Sequence, residues 1–391
     1  MRLLPFDYAM RNLARRPVRS LLTAFSIALT AGLVAGTTAF VRGLEAGFAG
    51  AATPDLAVLL SSVSERDVLR STVVAALPGL VAADVRGLKE IGGVPAVSGE
   101  LHFGTYLRLG GDGENDAAAP LQAFVRGVTD RAFLVHEAAT IVRGRVPRTG
   151  EVAVGRLAAA KAGAPPEAFE IGRKVRFEGA TFVVAAEFAA PGTTLESEIW
   201  APVEELKGLT KRDDLSVVFA RFKTPDDLEE LELFAKRRLD LELVAIPASL
   251  YYREAAEHLA PIGNLAWLMA AMIAATALAC GAGTLSTSVF DRVRELSVLR
   301  AIGYGPFALS ISIATESVVL AAAGGLVGVL AARLVLDGAV VGIAMGAFAL
   351  DPDPVALASG AAAALLTGVF GAVPAAWRAA RIPVAVGLKQ P

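Results

Sequence analysis

Four stretches almost free of charge constrain this chain more than anything else in it. The 22 residues between Arg19 and Arg42 contain no Asp, Glu, Lys or Arg. The same holds for the 32 residues between His258 and Asp291 and the 24 between Asp353 and Arg378. The 32 residues between Arg300 and Arg333 carry a single charge, Glu316. Each run exceeds the roughly 20 apolar residues that a helix needs to cross a bilayer. Charged residues make up only 19% of the whole, against about 25% in an ordinary soluble domain. The sequence therefore predicts an α-helical membrane protein with four transmembrane helices.

Charge also orients the chain. Residues 1–19 hold Arg2, Arg11, Arg15, Arg16 and Arg19 against Asp7 alone. The short segment after the second run holds Arg292, Arg294 and Arg300 against Asp291 and Glu295, and the tail holds Arg378, Arg381 and Lys389 with no acid. Together these segments have a net charge of +8, whereas residues 42–258 have −7. Basic excess near short loops marks the cytoplasmic side. The expected order is a cytoplasmic amphipathic helix (1–19), a first span (20–41) and a large extracytoplasmic domain inserted between the first two spans (42–258). A second span with an external stalk follows (259–290), then a cytoplasmic segment (291–305), a third span (306–336), an external link (337–353), a fourth span (354–377) and a cytoplasmic tail (378–391). The first run is too long for the 7–15-residue core of a cleaved signal peptide. Ahead of it, Phe6, Met10 and Leu13 recur at helical spacing while Arg11, Arg15 and Arg19 fall on another face, as in a helix lying in the headgroup layer.

The inserted domain reads as mixed α/β. Alternating or β-rich segments predict strands at 56–60, 101–109, 121–128, 151–154, 174–177, 181–186 and 216–222. Helical patterns fall at 80–91, 202–208, 226–239 and 250–258. The glycine-rich stretch Gly110–Asp116 alternates acids but lacks the closing glutamate of a calcium loop, and reads as a turn. Tyr251–Glu257 leads helically into Pro261, a natural kink at the start of the second span. Residues 338–350 are apolar but only 13 long, and fit either an extension of the third span or an interfacial segment. Gly32 with Gly36, and Gly324 with Gly328, have the four-residue spacing that lets helices approach closely in lipid.

Catalytic signatures are missing. Gly150–Leu157 has the glycine spacing of a phosphate loop without its lysine and hydroxyl residue. Cys280 is the only cysteine, and His102, His136 and His258 share no ligand spacing, so they read as surface or boundary residues. The expectation is a non-enzyme with no cofactor or metal of its own. With one ionisable residue in the spans, an ion path has little to line it, and Glu316 reads equally as a polar tie between helices.

The segment Phe290–Gly303 is the informative one. Arg292 and Glu295 form a helical i, i+3 pair, Leu299 shares their face, and Gly303-Tyr-Gly-Pro306 supplies the stop. Asp291-Arg292, Glu295 and Leu299-Arg-Ala-Ile-Gly303 resemble the cytoplasmic coupling region of MacB/FtsX/LolC-type permeases of ABC transporters. Glu316, Gly324 and Gly328 match residues that family places in its third span. Arg11–Thr23, Arg143–Pro147, Gly150–Val152, Ile199–Pro202 and Pro374–Pro383 extend the likeness over essentially the whole chain. Asp291 stands where the family more often has glutamate.

The resemblance implies a stand-alone permease subunit of the bacterial cytoplasmic membrane with both termini inside. It implies ATPase-coupling roles for Asp291, Arg292, Glu295, Leu299, Arg300 and Gly303, and helix-packing or polar roles for Glu316, Gly324 and Gly328. Expected partners are a separate ABC ATPase subunit, which binds the ATP, and a second permease subunit in a homo- or heterodimer. A periplasmic adaptor or lipoprotein chaperone is a further candidate partner; nucleic acid is not. Implied functions are export or extraction of a lipid, lipoprotein or hydrophobic compound, or FtsX-like relay of ATP hydrolysis to a cell-wall hydrolase. A secondary carrier fits poorly with spans so poor in charge.

Overall fold

The computed structural model describes residues 6–15, 17–51, 53–64, 67–110, 119–343 and 346–381. Arg2, Arg16, the Phe6 side chain, the acidic 111–116 loop, Ile382, Pro383 and Lys389 lie outside the described residues. The chain divides into two compact units, one containing the long apolar helices and the other residues 43–260 with 340–349.

The first helices are α1 (Phe6–Arg15) and α2 (Pro17–Ala49). Proline at the first position of α2 gives up no hydrogen bond, and the helix runs on past the expected end of the first span to Ala49.

The second unit is built on β1 (Leu56–Ser61), α3 (Leu77–Asp84), β2 (Glu90–Ile91), β3 (Val94–Pro95), β4 (Val97–Leu109), β5 (Leu121–Val128), α4 (Ala132–Val135) and β6 (Thr140–Gly144). It continues with β7 (Glu151–Gly155), α5 (Ala158–Ala162), β8 (Lys174–Phe177), β9 (Ala180–Ala189), β10 (Ile199–Pro202), α6 (Val203–Thr210), β11 (Val217–Arg221), α7 (Leu228–Arg237), β12 (Leu243–Pro247) and α8 (Ala248–Glu257). Ten strands form a mixed sheet in the order β12-β1-β11-β4-β5-β10-β7-β9-β6, with β8 joining β4 and β9. The β10–β5 and β7–β9 pairs are parallel.

Period-two alternation sends side chains to two different cores. Val152 and Val154 of β7 join a large cluster with Leu77, Val81, Leu206 and Phe234, while Ala153 between them joins Trp200, Phe188 and Ala132. The strands expected from alternation are present; β2, β3, β6, β10 and β12 are additional. The helix expected over 80–91 is shorter, ending at Asp84, because Gly87 turns the chain at φ +77° and Leu88 bridges to Phe222.

Two histidines overturn the surface reading. His102 and His136 are 2% and 3% exposed, and both hydrogen-bond Glu100, at 3.1 and 2.8 Å. Arg126 bridges Glu100 at 2.6 Å and holds Glu198 with two 2.6 Å bonds, and Trp200 donates to Glu198. A buried charge is tolerated only where partners satisfy it. Burial opposes ionisation of Glu100, but His136, Arg126 and the hydrogen bonds from both histidines outweigh it and hold the carboxyl well below its ordinary range. Burial, aided by the Arg126 charge, pushes His102 down to about 4. His258, in contrast, is exposed at the end of α8.

The remaining helices are α9 (Ala260–Phe290), α10 (Val293–Ala301), α11 (Pro306–Leu336) and, after strands β13 (Val340–Ile343) and β14 (Gly346–Ala349), α12 (Pro354–Arg381). Helices α2, α9, α11 and α12 are long and apolar enough to cross a membrane. Between α8 and α9 the helix breaks at 258–259, so Pro261 sits in a first turn and not at a bend in a continuous helix. Residues 340–343 and 346–349 do not extend α11. They form two antiparallel strands belonging to the second unit, where the Ala347 amide donates to Ser197 and Phe348 packs on Gly43 and Gly47.

Candidate coupling site

Helix α10 is short because its sequence starts and stops it sharply. Glu295 lies in the first turn and Arg300 in the last, each favourable to the helix dipole. Gly303 then takes φ +107°, and Pro306 opens α11. Leu296 anchors the inner face in an apolar cluster with Leu285, Val289, Leu309, Ile313 and Ala375. The outer face presents Arg294, Glu295, Val298 and Ile302, the last 66% exposed. Leu299 and Arg300 are half-buried at its edge.

Arg292, given an ATPase-coupling role by the resemblance, does not present its charge outward. Its side chain is 6% exposed and points inward, to Glu316 of α11 at 3.2 and 3.3 Å. Its Nη2 donates to the Tyr8 hydroxyl of α1 at 2.9 Å, and its Nε reaches Glu295 at 3.4 Å, the expected i, i+3 pair. Its guanidinium carbon lies 5.5 Å from the Tyr8 ring centre. Glu316 also accepts a hydrogen bond from Asn12. Asp291 stays exposed and pairs with Arg19 of α2 at 3.1 Å. The inward turn has a solvation reason: Glu316 stands ten residues into α11, about 15 Å along its axis, and an ionised carboxylate there needs a cation.

Gly324 and Gly328 pack where α11 crosses α2. A side chain at Gly324 would run into the Ala24 carbonyl and one at Gly328 into that of Ala28. Gly32 of α2 lies against the Gly328 carbonyl, so glycines from both of the spaced pairs meet in a single crossing. Gly360 against Ala31, Gly368 against Ala321 and the 2.6 Å bond from Ser317 Oγ to the Gly368 carbonyl fasten α12 to the same core. Tyr8 and Asn12 were missed from the sequence, although their i, i+4 spacing on a polar face was visible. Among the described residues, no group of three or more His, Cys, Asp or Glu side chains is placed to hold a metal ion.

Residues 20–233 match the family model of the MacB-like periplasmic core domain, and residues 267–384 match that of the FtsX-like permease C-terminal domain. The chain belongs to the MacB/FtsX-like family of ABC transporter permeases. The second match contains residues 291–303 of this permease together with Glu316, Gly324 and Gly328. Among solved structures, the periplasmic region of MacB from Actinobacillus actinomycetemcomitans is similar over 53% of this chain and 94% of its own, with 12% identity and a TM-score of 0.39. The extracellular domain of the noncanonic ABC-type transporter YknZ from Gram-positive bacteria is similar over 49% of this chain and 99% of its own, with 14% identity and a TM-score of 0.37. None of the curated proteins matches the chain.

Proposed function

We propose that this permease couples ATP hydrolysis by a separate ATPase subunit to movement of its outer domain, for export or extraction of a lipid, lipoprotein or hydrophobic compound. The observation that carries this reading is α10, a short helix anchored by Leu296 whose outer face offers Arg294, Glu295 and Ile302 to a soluble partner. The match of residues 20–233 to the MacB-like domain favours this reading over FtsX-like signalling. In it, the protein sits in the bacterial cytoplasmic membrane with both termini inside and the 43–260 domain outside, inserted between the first two spans. The exposed apolar faces of α2 (Leu21, Leu22, Phe25) and α9 (Leu268, Met269, Met272) support pairing with a second permease subunit. ATP binds the partner ATPase, and this chain contributes no cofactor site.

The test is Glu295→Lys, which keeps the loop basic and so preserves topology. The variant should insert and pair normally yet lose ATPase binding or transport-linked hydrolysis. Unchanged assembly and unchanged transport would show that α10 is only a connector.

A further inference from the structure

Residues 291 and 292 hold three neighbouring helices at once. Asp291 takes Arg19 at the start of α2, and Arg292 takes Tyr8 of α1 and Glu316 of α11. We propose that the amphipathic helix α1 is a working part of the transmission apparatus, with Arg292 as the positioning residue that locks it, through Tyr8 and Glu316, to the coupling turn and the third span. The proposal rests on the coupling reading of α10 above and extends it to a helix that the sequence suggested only lies in the headgroup layer.

The geometry is that of a lock with little slack. A guanidinium carries five N–H donors in a rigid fork. Here its Nη1 spans both Glu316 oxygens, its Nη2 meets the Tyr8 hydroxyl and its Nε faces Glu295. Helix α1 supplies two groups from one face, because Tyr8 and Asn12 are four residues apart and both reach this site. Two more contacts fix its far end: Leu13 packs on the Ile27, Ala31 and Leu320 cluster, and the Ser20 hydroxyl donates to the Leu13 carbonyl at 3.0 Å. A helix that only floats in the headgroup layer would turn its tyrosine and asparagine towards water.

A cavity of about 30 Å³ adjoins the lock, lined by Asn12, Arg19, Ser20, Thr23, Thr284 and Glu316 together with three leucines. It has room for one water molecule and more than enough polar partners to hold it. Arg19 of the Arg19–Asp291 pair and Glu316 of the Arg292–Glu316 pair both border it, and Asp291 and Arg292 are adjacent in the chain, so the two pairs meet at one turn. A push on α10 is therefore delivered to α1, α2 and α11 together, and not only to α9 through the backbone.

The experiment uses the full chain in vesicles of phosphatidylethanolamine and phosphatidylglycerol, with Cys280→Ala to clear the native thiol. Spin labels at Arg11→Cys on α1 and Arg294→Cys on α10, both exposed positions, report the distance between the helices. The unmodified lock should give one narrow distance. Tyr8→Phe and Glu316→Gln should each broaden the distribution at least twofold. The double variant should be no broader than Glu316→Gln alone, because both act through one guanidinium. Distances unchanged in both single variants would overturn the proposal. In a second arm the ATPase subunit is added to unlabelled chains that keep Arg11 and Arg294. Both single variants should still bind it but lose about tenfold in ATP-driven transport, the scale of one charge-assisted bond. Loss of ATPase binding, as for Glu295→Lys, would reassign Arg292 to docking and overturn the lock. If the parent chain binds no ATPase, the function proposed above fails while the distance arm still decides the lock.

Discussion

The backbone of Gly328 lies directly against the Ala28 carbonyl, so α11 and α2 meet without an intervening side chain. Substituting Gly328→Leu forces the helices apart, an overpacking change that costs about 1–3 kcal/mol or more. The expected outcome is a purified chain that unfolds several degrees lower or fails to accumulate in membranes. Leu at the neighbouring Val327, 60% exposed, is the control and should leave the melting temperature unchanged.

Topology is testable with a thiol reagent that does not cross membranes. In a Cys280→Ala background, Asp213→Cys in the outer domain should react in intact spheroplasts and Arg294→Cys on α10 should react only after permeabilisation. Labelling of position 294 from outside would refute the proposed cytoplasmic placement of α10.

Acid should loosen the outer domain. The folded chain holds a proton on His102 less tightly than the unfolded chain does, since burial pushes its pKa from 6.5 to about 4. Acidification through that window therefore favours unfolding, by up to on the order of 3 kcal/mol. Glu100, held well below its ordinary value, adds a further loss below about pH 4.5. Thermal melts between pH 7.5 and 4 should fall with acid, and His102→Gln should flatten the slope between pH 6.5 and 4. A parallel slope in the variant would assign the pH dependence to other groups.

The purified permease alone should not hydrolyse ATP, because it carries no phosphate-loop lysine or paired hydroxyl. Turnover measured after removal of contaminating ATPases, and abolished by no mutation in a partner, would contradict a division of labour between two chains.

How far the sequence could be read follows from the range of each interaction. The four long helices are legible because exclusion of charge from a bilayer acts residue by residue along the chain. Strands such as β5 and β9 are legible from alternation, and α7 from Leu231, Phe234 and Ala235 on one face. Tertiary partnerships leave no such trace. Arg292 meets Glu316 across 24 positions and Tyr8 across 284, so the sequence marks Glu316 as an unusual charge without showing what it binds. His136 finds Glu100 across 36 positions, and only the pairing of β5 with β4 on one side and β10 on the other brings Arg126 and Glu198 to them. The segment 340–349 is apolar throughout, so its hydropathy alone does not distinguish a strand pair from a membrane segment.

That strand pair bears on how the outer domain can be obtained alone. A continuous fragment covering residues 43–260 omits two strands that pack within the same unit, and leaves Gly43 and Gly47 without Phe348 and Thr194 without Gly346. Such a fragment exposes an apolar seat in water and should self-associate through it. Grafting residues 340–349 onto its C-terminus through a flexible linker is the way to produce a soluble piece faithful to the parent.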